Sequence, residues 1–367
     1  MNIIIFGGNF DPIHIGHINM ARKAAKDYSA VVYLVPSPIG MWKTESASKK
    51  DKLNMLKLAI EDYPELQIDE FELNSGKPTN NYSIDTVEYF VKKFPDDKIY
   101  FLIGEDQAMN FHRWVKAKEI SELVQIIYYP RSGYSVPLEN AKTYHMKFIK
   151  GKTFDMSSTD IRDLSKLNLP KKVLNYIIDN ELYFVPRVKA MYVEKRYKHV
   201  LSVARLACEI AEANGILDDH DYGRYFVAAY LHDIAKSMTR EEQLEMIRYN
   251  YPDYDNDNLP IFSYHQFVGA IIAEQQFGIN DQEILDAIRF HATGRANMSA
   301  MERIVYAADK LDPLRGYDSS EMIKAMKENY ESGFKKMLQA NKDYLESTGK
   351  MTDNPWTQEC FDFYLGR

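Results

Sequence analysis

The chain changes rhythm halfway along. In the first half, short apolar runs alternate with longer amphipathic stretches. The runs Ile3–Phe6, Val31–Val35, Ile99–Ile103 and Val124–Tyr129 are β-branched or aromatic throughout, the pattern of strands covered on both faces. Between them, Ile18–Tyr28, Lys49–Ile60 and Ile84–Phe94 carry apolar residues at helical spacing. Such alternation predicts a doubly wound parallel sheet, whose ligands bind outside the carboxyl ends of its strands. After Phe184-Val185-Pro186 the strand signals stop. Helical patterns at His199–Ala213, Tyr222–Lys236, Gln266–Phe277, Gln282–Phe290, Ala300–Asp309 and Ser320–Leu338 predict an all-helical second half. The expected domains are therefore residues 1–187 and 188–367, with the boundary near Pro186–Ala190.

Composition narrows the picture without deciding it. At 367 residues the chain is too long for one ordinary core, which agrees with two domains. A hydrophobic content of 45% and a net charge of −7 describe a globular chain with no general nucleic-acid or membrane footprint. Cys208 and Cys360 are too few for a disulfide framework or a cysteine metal site, which fits a reducing cytoplasm. The first residues lack the charged segment of a signal peptide, and no stretch is long enough to cross a bilayer. Oligomerisation is left open.

The densest chemistry lies at residues 7–17, Gly-Gly-Asn-Phe-Asp-Pro-Ile-His-Ile-Gly-His, directly after the first strand. Two glycines let backbone approach a ligand closely. His14 and His17 stand at the mouth of a helix, whose free N–H groups and partial positive charge suit phosphate. Two imidazoles aimed at one place can stabilise charge on a transferring phosphoryl group. Farther on, Gly104-Glu105-Asp106 follows a strand, and an acidic residue there often holds a ribose hydroxyl; Asp106 is the candidate. Ser157-Ser158-Thr159-Asp160-Ile161-Arg162 opens a helix with hydroxyls and closes its first turn with a guanidinium, a plausible polyphosphate clamp.

On these motifs the first half, roughly residues 1–185, resembles the nucleotidyltransferases marked by His-x-Gly-His, and among them bacterial nicotinate-nucleotide adenylyltransferase. The resemblance implies that Gly7, Gly8, Phe10, His14, His17, Ser157, Thr159 and Arg162 meet ATP, with Gly104 and Asp106 near its adenosine. It implies that Lys43 meets the mononucleotide, and that Thr86, Trp114 and Arg131 lie around the nicotinate portion. His14, His17, Lys43 and Arg162 would then serve catalysis beside Mg²⁺ carried in by ATP, by aligning reactants and neutralising charge. Two departures mark this chain. Gly40-Met41-Trp42 stands where the family tends to carry Pro-Pro-His, and Asn9 replaces a commoner Ser or Thr. Phosphopantetheine adenylyltransferase shares the histidine motif but not the Lys43 loop or the Asp106–Trp114 segment.

In the helical half, His199, the pair His232-Asp233 and Asp309 have the order and separation of an HD-domain metal site. Imidazole and carboxylate ligands suit iron, manganese or zinc. The settings Arg196-Tyr197-Lys198-His199, Leu231-His232-Asp233-Ile234-Ala235-Lys236, His265-Gln266-Phe267, Arg289-Phe290-His291 and Ala308-Asp309-Lys310 resemble the bacterial HD hydrolases that split diadenosine tetraphosphate (Ap4A) into two ADP. That likeness spans roughly residues 190–320. It implies that His199, His232, Asp233 and Asp309 ligate a metal, iron in that family. Asp233 would be essential to hydrolysis, and Arg196, Lys236, His265, His291 and Arg315 would bind polyphosphate. A sensor that binds nucleotide without turnover is the alternative; a full set of metal ligands disfavours it. Beyond about residue 320 the Met, Tyr and Leu spacing reads as ordinary packing.

Overall fold

The computed structural model describes residues 1–38, 47–75, 82–153, 156–218, 221–252, 259–350 and 354–366. The described chain divides into two compact units, residues 1–162 with 169–183, and residues 163–168 with 184–367. Lys43 and the Gly40-Met41-Trp42 loop lie outside the described residues.

The first unit is built on a six-stranded parallel sheet: β1 (Asn2–Gly8), β2 (Ala30–Pro36), β3 (Leu66–Ile68), β4 (Lys98–Gly104), β5 (Gln125–Tyr129) and β6 (Lys147–Phe148). Their order is β3-β2-β1-β4-β5-β6, and neighbouring strands all pair in parallel. Strand β1 is central, and Ile3, Ile4, Ile5 and Phe6 are all buried, as a strand covered on both faces requires. The chain winds outward from β1 through β2 to β3, then returns to lay β4 on the other side of β1. The carboxyl ends of β1 and β4 therefore flank the topological switch point, where Gly7, Gly8 and Gly104 lie. Below it, Ile3, Ile5, Phe101 and Ile103 pack with Ile84, Val87 and Phe90 of helix Ser83–Lys93. The two strands without a counterpart in the sequence pattern, β3 and β6, are three and two residues long.

The second unit is helical, with no strand among its described residues. Helix Glu194–Ala213 packs against helices Asp221–Leu231 and Ala300–Leu311, and helices Tyr264–Phe277 and Gln282–Arg289 complete the surround. The expected helix Tyr222–Lys236 stops at Leu231, so His232 and Asp233 stand just beyond its end. The His232 ring bonds the carbonyl of Ala229 at 2.6 Å, taking one of the acceptors a helix end leaves open. The expected helix Ser320–Leu338 is two helices, Ser320–Glu328 and Tyr330–Ser347. They break at Asn329, whose side chain accepts the backbone N–H of Ser332 as a cap. Segment 163–168 belongs with this unit. A Cβ on Gly223 would come within 1.6 Å of the Leu167 carbonyl, so only glycine fits that approach. No described helix is long and apolar enough to cross a membrane.

Candidate active sites

Helix Ile15–Tyr28 begins where β1 turns over, and His14 is its N-cap. His17, one turn in, lies under His14 with ring centroids 3.7 Å apart in a stacked arrangement. Its Nδ1 faces the backbone N–H of His14 at 3.4 Å. With Nδ1 serving as the acceptor, a neutral His17 carries its proton on Nε2, which becomes a donor. Phe10, held at a positive φ of 43°, is buried and meets the His17 ring edge-on at 5.1 Å. A Cβ on Gly8 would press to 3.0 Å from the Phe10 ring, which explains the glycine.

Burial pushes His17 down to about 3, helped by the positive charge of Arg131. Burial also holds His14 well below the ordinary histidine value, with His17 and Arg131 acting in the same sense. The free protein thus presents two neutral imidazoles at neutral pH. They can donate hydrogen bonds but carry no charge of their own, which refines the expectation that both neutralise phosphate. His14 Nδ1 is buried and makes no hydrogen bond.

The segment expected to clamp polyphosphate is brought to the same turn. Ser158 donates to the Pro12 carbonyl at 2.9 Å, and the Arg162 guanidinium donates to the Asp11 carbonyl and to Thr159 Oγ1. Ser157 is satisfied by Asp160, its hydroxyl donating to the carboxylate at 2.8 Å. Asp106 and Arg131, expected at opposite ends of the substrates, form an ion pair at 2.7 Å. The Arg131 N–H also donates to Glu105 at 2.9 Å. Thr86 is buried and donates to Glu72 at 2.7 Å, while Trp114 packs on Phe101 and Phe111 at 5.9 and 5.1 Å. Among the described residues, neither shares a hydrogen bond with the histidine pair.

In this unit Lys52 escaped the sequence reading. Lys52 is fully buried and donates to Asn9 Oδ1 at 2.6 Å, behind the glycine turn. Burial lowers its pKa against the pull of Asp11. The signal was present: Lys52 falls on the buried face of helix Lys49–Ile60, in step with Met55, Leu56 and Ala59. A lysine in register with a core face needs a reason to be there.

In the second unit, His199, His232 and Asp309 form one buried cluster, and His232, Asp233 and His291 form another that shares His232. Asp309 Oδ1 lies 3.2 Å from His199 Nε2 and 3.6 Å from His232 Nε2. Neither Nε2 makes a hydrogen bond, although both are buried. On the far side of each ring, Nδ1 faces an acceptor: Asp312 at 2.5 Å for His199, the Ala229 carbonyl for His232. An acceptor at Nδ1 places the proton there and leaves Nε2 as a bare lone pair aimed at the carboxylates. That arrangement suits a cation, and the His/Asp cluster has the donor set of a divalent-metal site. His291, expected only to bind phosphate, is itself within the cluster, its Nε2 3.4 Å from Asp233.

Cations crowd the same carboxylates. Arg196 donates to Asp233 at 2.7 Å, Lys310 to Asp309 at 3.0 Å, and Arg315 to both the carboxylate and the carbonyl of Asp309. Lys236 lies 3.2 Å from His265 Nδ1, and His265 Nε2 lies 3.1 Å from His291. Four of the five expected polyphosphate residues therefore ring the cluster to which His291 itself belongs, and Lys310 joins them. Burial raises the cost of charge on Asp233, yet His232 and His291 hold it well below the usual carboxylate range. Burial likewise disfavours charge on His232, but Asp233 and Asp309 outweigh it and raise the ring.

The two halves match two family models: cytidylyltransferase-like over residues 5–164, and HD domain over residues 196–314. Fold and sites thus define a nucleotidyltransferase-like domain followed by an HD domain. Over 90% of its length the chain is 34% identical to a Mycoplasma genitalium protein named "Probable nicotinate-nucleotide adenylyltransferase/Ap4A hydrolase", covering 95% of it. A Mycoplasma pneumoniae protein of the same name is 29% identical over 89% of this chain and 95% of its own. A "Probable nicotinate-nucleotide adenylyltransferase" of Aquifex aeolicus is 33% identical over 43% of this chain and 99% of its own. The chain belongs to the family of fused nicotinate-nucleotide adenylyltransferase/Ap4A hydrolases.

Proposed function

We propose that the chain carries two enzymes. The first unit transfers the adenylyl group of ATP to nicotinate mononucleotide. A phosphate oxygen of the mononucleotide attacks the α-phosphorus, the bond to the bridging oxygen breaks, and pyrophosphate leaves with the electron pair. The attacking oxygen is already ionised, so no general base is needed. Arg162 neutralises charge, while the Nε2–H of His17 donates to the phosphoryl group in flight. Mg²⁺ arrives with ATP. The observation that supports this reading is the pair of bonds from Ser158 and Arg162 to the carbonyls of Pro12 and Asp11, in the turn that leads into His14.

The second unit hydrolyses Ap4A. Water adds to one central phosphorus, the bond to the oxygen bridging the central pair breaks, and two ADP result. His199, His232, Asp233 and Asp309 would hold a divalent transition metal, iron by family likeness, with His291 in reach as a further ligand. Such a metal lowers the pKa of its bound water and offsets phosphate charge. Arg196, Lys310 and Arg315 exchange their bonds to the carboxylates for bonds to the polyphosphate, and Lys236 leaves His265 to join them. His265, kept below the ordinary histidine value by burial and by His291, enters as a neutral partner. The buried, unpaired Nε2 atoms carry this reading.

The test is a product assay on the purified chain. ATP with nicotinate mononucleotide should give nicotinate adenine dinucleotide and pyrophosphate, faster than with nicotinamide mononucleotide. Ap4A should give ADP alone. ATP plus AMP from Ap4A would overturn symmetrical cleavage, and no dinucleotide from either mononucleotide would overturn the first assignment.

A further inference from the structure

Asp312 is assigned neither metal nor phosphate in the reading above, yet it is completely buried and accepts hydrogen bonds on both carboxylate oxygens. Oδ2 lies 2.5 Å from His199 Nδ1. Oδ1 accepts the Ser202 hydroxyl at 2.6 Å and the backbone N–H of Leu314 at 3.2 Å. The Leu314 bond caps the short turn Pro313–Arg315, and that turn delivers the Arg315 guanidinium onto Asp309. One buried side chain therefore touches the element that aims a metal ligand and the element that aims a phosphate-binding cation.

We propose that Asp312 is the positioning residue that fixes His199 in its metal-binding tautomer and seats Arg315 beside it; this rests on the metal reading above. The argument is one of acceptor geometry. Only a carboxylate presents acceptors on both sides at once. An asparagine of the same shape must turn its NH₂ towards either His199 or Leu314. Turned to His199, the NH₂ donates to Nδ1 and drives the ring proton to Nε2, which then has no lone pair for a metal. Turned to Leu314, it sets one N–H against another, and the turn carrying Arg315 loses its cap. Acceptors behind a metal-ligating imidazole orient the ring in this way, and losing one weakens metal binding by about 10–100-fold.

The experiment measures metal affinity of the full chain, by titrating Mn²⁺ or Fe²⁺ into the metal-free parent and D312N, with circular dichroism to confirm folding. The expected result is binding about 10–100-fold weaker in D312N than in the parent. A folded D312N that binds metal as tightly as the parent overturns the proposal and leaves the metal reading intact. A parent that binds no metal overturns the metal reading itself. Should D312N fail to fold, nitrogen-15 spectra of the metal-free parent decide, recorded above the ordinary histidine pKa with H199Q for assignment. A His199 signal with its proton on Nδ1 supports the proposal; a proton on Nε2 overturns it.

Discussion

The two sites bury the same side chain in opposite electrical settings. At the first, His14 and His17 stack on each other with Arg131 nearby, and among the described residues no carboxylate opposes the burial that pushes both rings below their ordinary value. At the second, His232 lies between Asp233 and Asp309, and their charge overcomes the same burial and lifts the ring. The difference follows from what each site must receive. A pocket for ATP and a second phosphate receives anions with their own Mg²⁺, so neutral N–H donors and arginine serve it. A pocket for a metal ion needs lone pairs and anionic oxygen, and here two arginines and a lysine lie on those oxygens. Imidazole can do either task; its neighbours choose.

The sharpest way to break this contrast is to remove one residue from each site and assay both reactions. Asp233→Ala takes a carboxylate from the cluster, so Ap4A hydrolysis should fall to background while dinucleotide synthesis is unchanged. His17→Ala should lower kcat for adenylyl transfer by about 10²-fold or more, the scale of losing one preorganised donor, and spare hydrolysis. Loss of both activities in either variant would mean that the sites are not independent.

A smaller effect sharpens where the second unit begins. Phe184 is buried, with its ring 6.4 Å from that of Tyr230. A fragment starting at residue 188 loses it. Compared with one starting at residue 184, it should be less stable by about 3–5 kcal/mol, the usual cost of deleting a buried aromatic. Urea melts of the two fragments check this; equal midpoints would count against Phe184 as part of that core.

The smallest effect, read over a single pH unit, is acid sensitivity. His17 is depressed from 6.5 to about 3, so the unfolded chain binds its proton first as pH falls. Stability contributed by keeping His17 neutral is therefore full above about pH 6.5. It is lost progressively down to about pH 3, by ~1.4 kcal/mol per pH unit. His17→Gln should flatten that slope in melts between neutral and mildly acid pH. Parallel slopes in the two proteins would contradict the assigned environment.

Much of this was legible in the residues, for physical reasons that also explain the gaps. The four long strands showed because continuous apolar runs are what burial on both faces demands, and helix Lys49–Ile60 matched to the residue. Strands of three and two residues are too short to carry a period. Helix Arg240–Asn250 went unread although Thr239 and Glu242 form a capping box, because its apolar face is thin. The candidate site residues showed because histidine, aspartate and glycine in those settings have few other uses. Asp312 and Lys52 did not, since an aspartate before a proline reads as a turn, and a lysine on a helix reads as surface. Only burial and partners distinguish them.

The central claim is the proposal that one chain carries a metal-dependent hydrolase and an adenylyltransferase that relies on the Mg²⁺ brought by ATP. The most direct measurement follows both reactions in the same purified sample while a chelator selective for transition metals is added in excess Mg²⁺. Ap4A hydrolysis should disappear and return on adding Fe²⁺ or Mn²⁺, with dinucleotide synthesis constant throughout. Hydrolysis that survives the chelator, or synthesis that falls with it, would contradict the account.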